Sequence, residues 1–261
     1  MLIEDRHVQG MDLVRGLRHL SFELGSGCNL AHAHPECPIL EMDRWPDTSQ
    51  GPITVADVVR VIDDAVAHGF AGFVGFHYYN EPLMDIDAIK AVVEASSYGR
   101  FMLWTNGLLL SRCVEDNQLL RLFRWVVISD YYPEVNATWF ASLRDHYRDV
   151  RIDTFPATFD DRRSNYEGTR RASVTCWRQR LELPVDHFGN VHLCCQDWRG
   201  AVPIGNVKVA PLSEILRRPV NVRVFEGLCA GTLDAPPVCA TCTSPISRET
   251  YLDLCSGFVA P

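Results

Sequence analysis

The chain has 261 residues, 47% hydrophobic and 22% charged, with a formal net charge of −8, enough for one sizeable core plus a small annex. The acidic balance and the absence of any Lys/Arg run argue against a nucleic-acid partner. The start, MLIEDRHVQGMDLVRG, has no signal-peptide core and no stretch is apolar for long enough to span a membrane, so the expected setting is the cytoplasm, with no membrane partner.

In chain order, RHLSFEL (18–24) alternates like a strand and runs into GSGCNLAHAHPECPI (25–39), where Cys28 and Cys37 flank His32 and His34. TVADVVRVIDDAVAHG (54–69) has helical spacing, with Thr54 and Asp57 placed as a capping box and Gly69 as the stop. FAGFVGFHYY (70–79) reads as a strand buried on both faces, DIDAIKAVVEASSYG (85–99) as an amphipathic helix, and RFMLWTNG (100–107) as a strand closed by a glycine turn. A helix over 111–123, a strand over 125–132, a helix over 136–147 and a strand over 150–155 continue the alternation. Repeated strand–helix units imply a parallel sheet with right-handed crossovers. Five strands and four helices fit an α/β fold of the open, partial-barrel kind.

From 156 to 175 the chain turns polar and irregular, as a linker or lid. RLELPVDHFGNVHLCC then reads as a hairpin turning at 187–190, APLSEILRR (210–218) as a short helix, and the rest as Pro/Gly-rich loop around CATC. The expected division is an extension over 1–17, a barrel over 18–155, the linker, and a cysteine-rich domain over 176–261.

Ten cysteines are placed unevenly, seven of them in the last third. In a reducing compartment clustered thiols more often mean metal or catalysis than disulfides. Cys176, Cys194, Cys239 and Cys242 can gather four thiolates around one centre, a hairpin and its base closed by a distant Cys-x-x-Cys. Structural zinc takes the same donors, although its ribbons usually supply two close pairs. Cys195 adjoins Cys194, and strand neighbours face opposite sides, so only one of the two should be a ligand.

Other candidates sit at expected strand ends, where α/β folds bind substrates. In YYNEPLM (78–84), Glu81 with backbone carbonyls suits an ammonium group, although a solvated Glu beside a Pro stop fits as well. TNG (105–107) and SDYY (129–132) are generic turn residues whose value is positional. In DDRRSNYEG (160–168), Arg162, Arg163 and Tyr166 are candidate substrate contacts beside that rim. His187 and His192 read as surface or packing residues.

Taken in order, CNL after the first strand, NEPL, TNG, and the tail CW…DHFGNVHLCCQD…IGNV…LSEIL…CATC resemble the radical S-adenosylmethionine (SAM) superfamily with a C-terminal SPASM or twitch auxiliary-cluster domain, over about residues 18–245. The resemblance implies two 4Fe–4S clusters and SAM as cofactors, with an external one-electron donor such as flavodoxin or ferredoxin. Cys176, Cys194, Cys239 and Cys242 would hold the auxiliary cluster. Glu81, with the Tyr79 and Asn80 backbone, would hold the SAM ammonium; Asn106 shares that rim, and Ser129 and Asp130 lie where ribose contacts fall. The family's Cys-x3-Cys-x2-Cys motif is altered, with Cys28 in first place, His32 in second and Cys37 two residues late. The expectation is that Cys28, His32 and Cys37 hold the first cluster, with His34 as the rival third ligand. The implied activity is oxidation of a small polar substrate such as a sugar or aminocyclitol. Open alternatives are epimerisation, with Cys229, Cys255 or Cys195 returning a hydrogen atom, peptide modification, and a non-catalytic iron–sulfur protein.

Overall fold

The alternating pattern folds as two parallel sheets. The computed structural model describes residues 13–41, 45–111, 119–159, 163–166 and 168–258. Strand β1 (His19–Phe22) pairs parallel with β2 (Phe73–Gly75). Strands β3 (Met102–Thr105), β4 (Trp125–Asp130) and β5 (Arg151–Pro156) form a second parallel set. A single parallel bridge, Val74 to Phe101, links the two sheets.

The expected hairpin carries more of the fold than its sequence suggests. Its first arm, β6 (Glu182–Val185), pairs parallel along β1, in the register Leu20 to Leu183. Six parallel strands, not five, therefore make the open barrel, and β7 (Asn190–Val191) and β8 (Gly205–Asn206) continue that sheet antiparallel. The barrel sheet thus runs without a break into the cysteine-rich tail.

The helices form where the local chemistry favours them. Thr54 Oγ1 accepts from the Asp57 N–H at 3.2 Å and Asp57 accepts from the Thr54 N–H at 3.1 Å, so the helix Val55–Ala67 opens on a reciprocal cap. It buries Val58, Val61, Ile62 and Ala65 on one face. The helices Ile86–Ala95 and Pro133–His146 fill the β2–β3 and β4–β5 crossovers. Of the helix expected over 111–123, Leu119–Leu122 is a 3-10 turn, and 112–118, with Cys113, lie outside the described residues. The last helix, Arg248–Phe258, puts Tyr251 and Cys255 in one apolar cluster with Phe73 and Met102, the first residues of β2 and β3. It covers the end of the barrel opposite the rim. No described helix is long and apolar enough to cross a membrane.

Candidate metal centres

The carboxyl ends of β1 to β4 converge on one open cleft. Cys28, His34 and Cys37 from the loop after β1 line it, with His77 to Glu81 after β2, Trp104 to Asn106 at β3, and Ser129 of β4. Strand β2 stops short of its apolar run because the next residues serve this turn: Asn80 Oδ1 accepts from the Tyr78 N–H at 3.1 Å. The buried Glu23 carboxylate accepts the N–H groups of Tyr79 and Asn80 at 3.2 and 3.0 Å. Glu81 is itself buried, with Oε1 accepting from Leu83 N–H and Thr105 Oγ1 and Oε2 from Asn106 N–H. Burial raises its pKa despite these bonds. No cationic side chain pairs with it among the described residues. Gly107, in the left-handed region at φ 79°, closes the TNG turn where a Cβ would meet Ile128 and Phe140.

The second site is the tail cavity. Cys176, Cys194, Cys239 and Cys242 all line it, among mainly apolar walls that include Arg178 and Gln179. Gly189, at φ 83°, turns the hairpin that delivers Cys194. Burial raises the Cys194, Cys239 and Cys242 thiols, Cys239 to about 12, and Cys28 in the first cleft to about 11. The backbone supplies N–H to sulfur at both sites, from Leu30 to Cys28 and from Ser244 to Cys242, each at 3.4 Å.

Among the described residues no three His, Cys, Asp or Glu side chains stand close enough to hold one metal ion. A single tetrahedral zinc would draw its sulfurs to about 4 Å from one another. A cubane gives each thiolate its own iron, so donors may surround a space without meeting at a point. Four soft thiolates around one cavity fit a multi-iron cluster.

Several expected contacts lie elsewhere. His32 is exposed on the outside of its loop and does not line the cleft. Asp130 faces away from the cleft because strand neighbours alternate; its Oδ1 accepts from Tyr132 N–H and Asn136 Nδ2. Arg163 is engaged by Glu36 and Glu41, which strap it to the cysteine loop. Tyr166 donates to Asp197 at 2.8 Å. Neither lines the cleft, and Arg162 lies outside the described residues. Cys255 is at the opposite end of the barrel, and Cys229 is buried beside Gln179 Nε2 at 3.4 Å. Neither of these thiols lines the cleft, nor does Cys195, which packs on the same apolar cluster as Tyr78, Tyr79, Cys28 and Cys37.

Three features escaped the sequence. Glu23 ends an alternating strand and signals nothing about the turn it holds. His77, in the aromatic run after β2, lines the cleft. His192 is fully buried with Nε2 2.8 Å from Asp186 and Nδ1 2.8 Å from the Asp197 carbonyl, a network whose members are adjacent only after the hairpin forms.

Residues 176–243 match the SPASM iron–sulfur cluster-binding domain, here carried on an open α/β partial barrel. No curated protein matches the chain in sequence. Among solved structures, BtrN in complex with AdoMet and 2-DOIA is similar with a TM-score of 0.68 and 18% identity, covering 87% of this chain and 93% of that one. BtrN in an open conformation gives 0.62 and 18% over 90% and 97%. Histidine-tagged anSMEcpe with bound AdoMet gives 0.50 and 12% over 93% and 92%. These likenesses establish a shared fold.

Proposed function

We propose that the chain is a radical SAM oxidoreductase that oxidises a small polar substrate, such as a sugar or aminocyclitol, in a reducing cytoplasm. The observation that carries this reading is one cleft, holding Cys28, Cys37, Glu81, Asn106 and Ser129 at the strand ends, backed by a four-cysteine SPASM cavity. Cys28 and Cys37 would hold a first 4Fe–4S cluster; Cys176, Cys194, Cys239 and Cys242 would hold the auxiliary one. With both in place and SAM bound, the site would supply hydrogen-atom abstraction from a hydroxyl- or amine-bearing carbon, one electron coming from flavodoxin or ferredoxin and the substrate's second electron leaving to the auxiliary cluster.

The chain's own residues have definite tasks in that scheme. Glu81, buried with one oxygen making a single hydrogen bond, gains a counter-ion when an ammonium group enters. Glu23 holds the Tyr79 and Asn80 N–H groups, which turns the Tyr78 and Tyr79 carbonyls away from it as ligand acceptors. The Ser129 hydroxyl accepts from Trp104 Nε1 at 2.9 Å and keeps its proton for a ligand oxygen. His77 is the base on the cleft wall suited to receive the substrate proton.

Epimerisation is the second reading, and Cys195 is what favours it, since it packs on the same Tyr78–Tyr79 cluster as Cys28 and Cys37, with its thiol 3.8 Å from Arg178 Nη1. Anaerobically reconstituted protein with dithionite and SAM should release 5′-deoxyadenosine. Iron binding without any SAM cleavage would overturn the enzyme reading and leave an iron–sulfur protein without radical chemistry.

A further inference from the structure

We propose that His34, not His32, is the third protein ligand of the first cluster, making the motif Cys28-x5-His34-x2-Cys37; the inference rests on the radical SAM reading. Cys28, Ala31, His34 and Cys37, spaced three apart, line the cleft together with Leu30 and Ile39. The backbone explains why. The Ala31 N–H donates to the Cys28 carbonyl at 3.1 Å and the Cys37 N–H to the His34 carbonyl at 3.0 Å, each three residues back, while the His34 N–H donates to the Leu30 carbonyl four residues back at 3.0 Å. In consecutive tight turns residues three apart fall on the same face. His32 is out of phase with that period and is exposed, whereas His34 is only 5% exposed.

Spacing agrees with the fold. Anchored on Cys28, the altered motif puts His32 in second place and proline in third. Anchored on Cys37, it puts His34 in second place with the usual two residues between, and the two inserted residues fall before the histidine. The His34 ring is oriented by neighbours: Phe159 meets it edge-on at 5.3 Å between centroids and Tyr131 lies at 6.2 Å. The Arg163 ion pairs with Glu36 and Glu41 hold the loop on both sides of Cys37. Three ligands bound to three different irons need not meet at one point. Imidazole ligates iron–sulfur centres in Rieske proteins, where replacing thiolate raises the potential.

The test is pulsed EPR of the reduced, SAM-free full-length protein, with ¹⁵N-histidine labelling, alongside iron content. The parent should carry about eight irons, two 4Fe–4S clusters, and a strong coupling from one directly bound nitrogen. His34→Ala should lose that coupling and about half the iron. His34→Cys should regain the iron without the coupling, at a lower potential, which separates a lost ligand from a misfolded loop. His32→Ala should match the parent. With both clusters present in the parent, a coupling that survives His34→Ala or disappears in His32→Ala overturns the His34 assignment alone. A parent that holds only the four-cysteine cluster overturns the underlying reading, and this inference with it.

Discussion

The two cysteine sites are built on opposite plans. The tail cavity draws its four thiols from three segments distant in sequence and surrounds them with mainly apolar walls. The first site takes Cys28 and Cys37 from one short loop and opens on a cleft of polar strand ends. A closed donor set suits a centre that stores an electron and ties the fold together; an open one leaves a metal position for a small molecule, as structural and catalytic zinc sites also differ. The sites meet at one dipeptide. Cys194 lines the tail cavity, and Cys195 packs against the Tyr78–Tyr79 cluster that Cys28 and Cys37 also touch.

The largest contrast should come from removing thiols. Cys239→Ser should abolish tail-cluster binding and lower the thermal midpoint sharply, because that site joins the segment at Cys176, the hairpin and the helix Pro237–Thr241. The Cys28→Ala/Cys37→Ala double variant should retain about four irons and melt close to the parent, since the two sites share no ligands. Anaerobic iron analysis and melting followed by circular dichroism check both; equal loss of iron and stability in the two variants would break the contrast.

Charge in the cleft comes next. Glu81→Gln keeps the shape but removes the buried negative charge, so SAM affinity should fall on the order of 100-fold, as expected for loss of a desolvated charge pair. Tail iron should not change. Calorimetric titration with SAM would show this, and affinity within twofold of the parent would remove Glu81 from the ammonium site.

Much of this was legible beforehand because it depends on local patterning. The Thr54–Asp57 cap, the strand–helix alternation and the tail motif are written in contiguous residues. What stayed hidden depends on pairing across the fold. Nothing in ELPV says that β6 lies along β1, and so completes the barrel sheet. The phase of the cysteine loop follows from its turns, which is why the nearer spacing pointed to His32 while the burial points to His34. Arg163 and Tyr166 looked available for substrate because their partners, Glu36, Glu41 and Asp197, lie at least thirty residues away in the chain.

Thiols outside the ligand set decide between oxidation and epimerisation. Cys229→Ala and Cys255→Ala should leave product formation within about twofold, since neither reaches the cleft and each change removes only one small buried group. Cys195→Ala should do the same if the reaction is oxidation. SAM cleavage without product in Cys195→Ala, or solvent deuterium at the substrate carbon in the parent, would establish epimerisation instead.

The smallest effect concerns the bond that spans the two sites. Tyr79 Oη donates to the Cys195 carbonyl at 2.7 Å, and its ring meets Tyr78 at 4.6 Å between centroids. Tyr79→Phe deletes the hydrogen bond and keeps the ring, so stability should fall by about 1 kcal/mol, the usual net value of one such bond. The Tyr79 backbone is held separately through its N–H to Glu23, and Asn80 fixes the turn beside it. SAM affinity should therefore stay within about twofold and both clusters should remain, because the turn that would receive SAM does not depend on the phenol. Denaturant unfolding and SAM titration on the same preparation separate the two quantities. A tenfold loss of SAM affinity with intact iron would mean that the tail site positions the cleft through this bond, and that the two regions act as one mechanical unit.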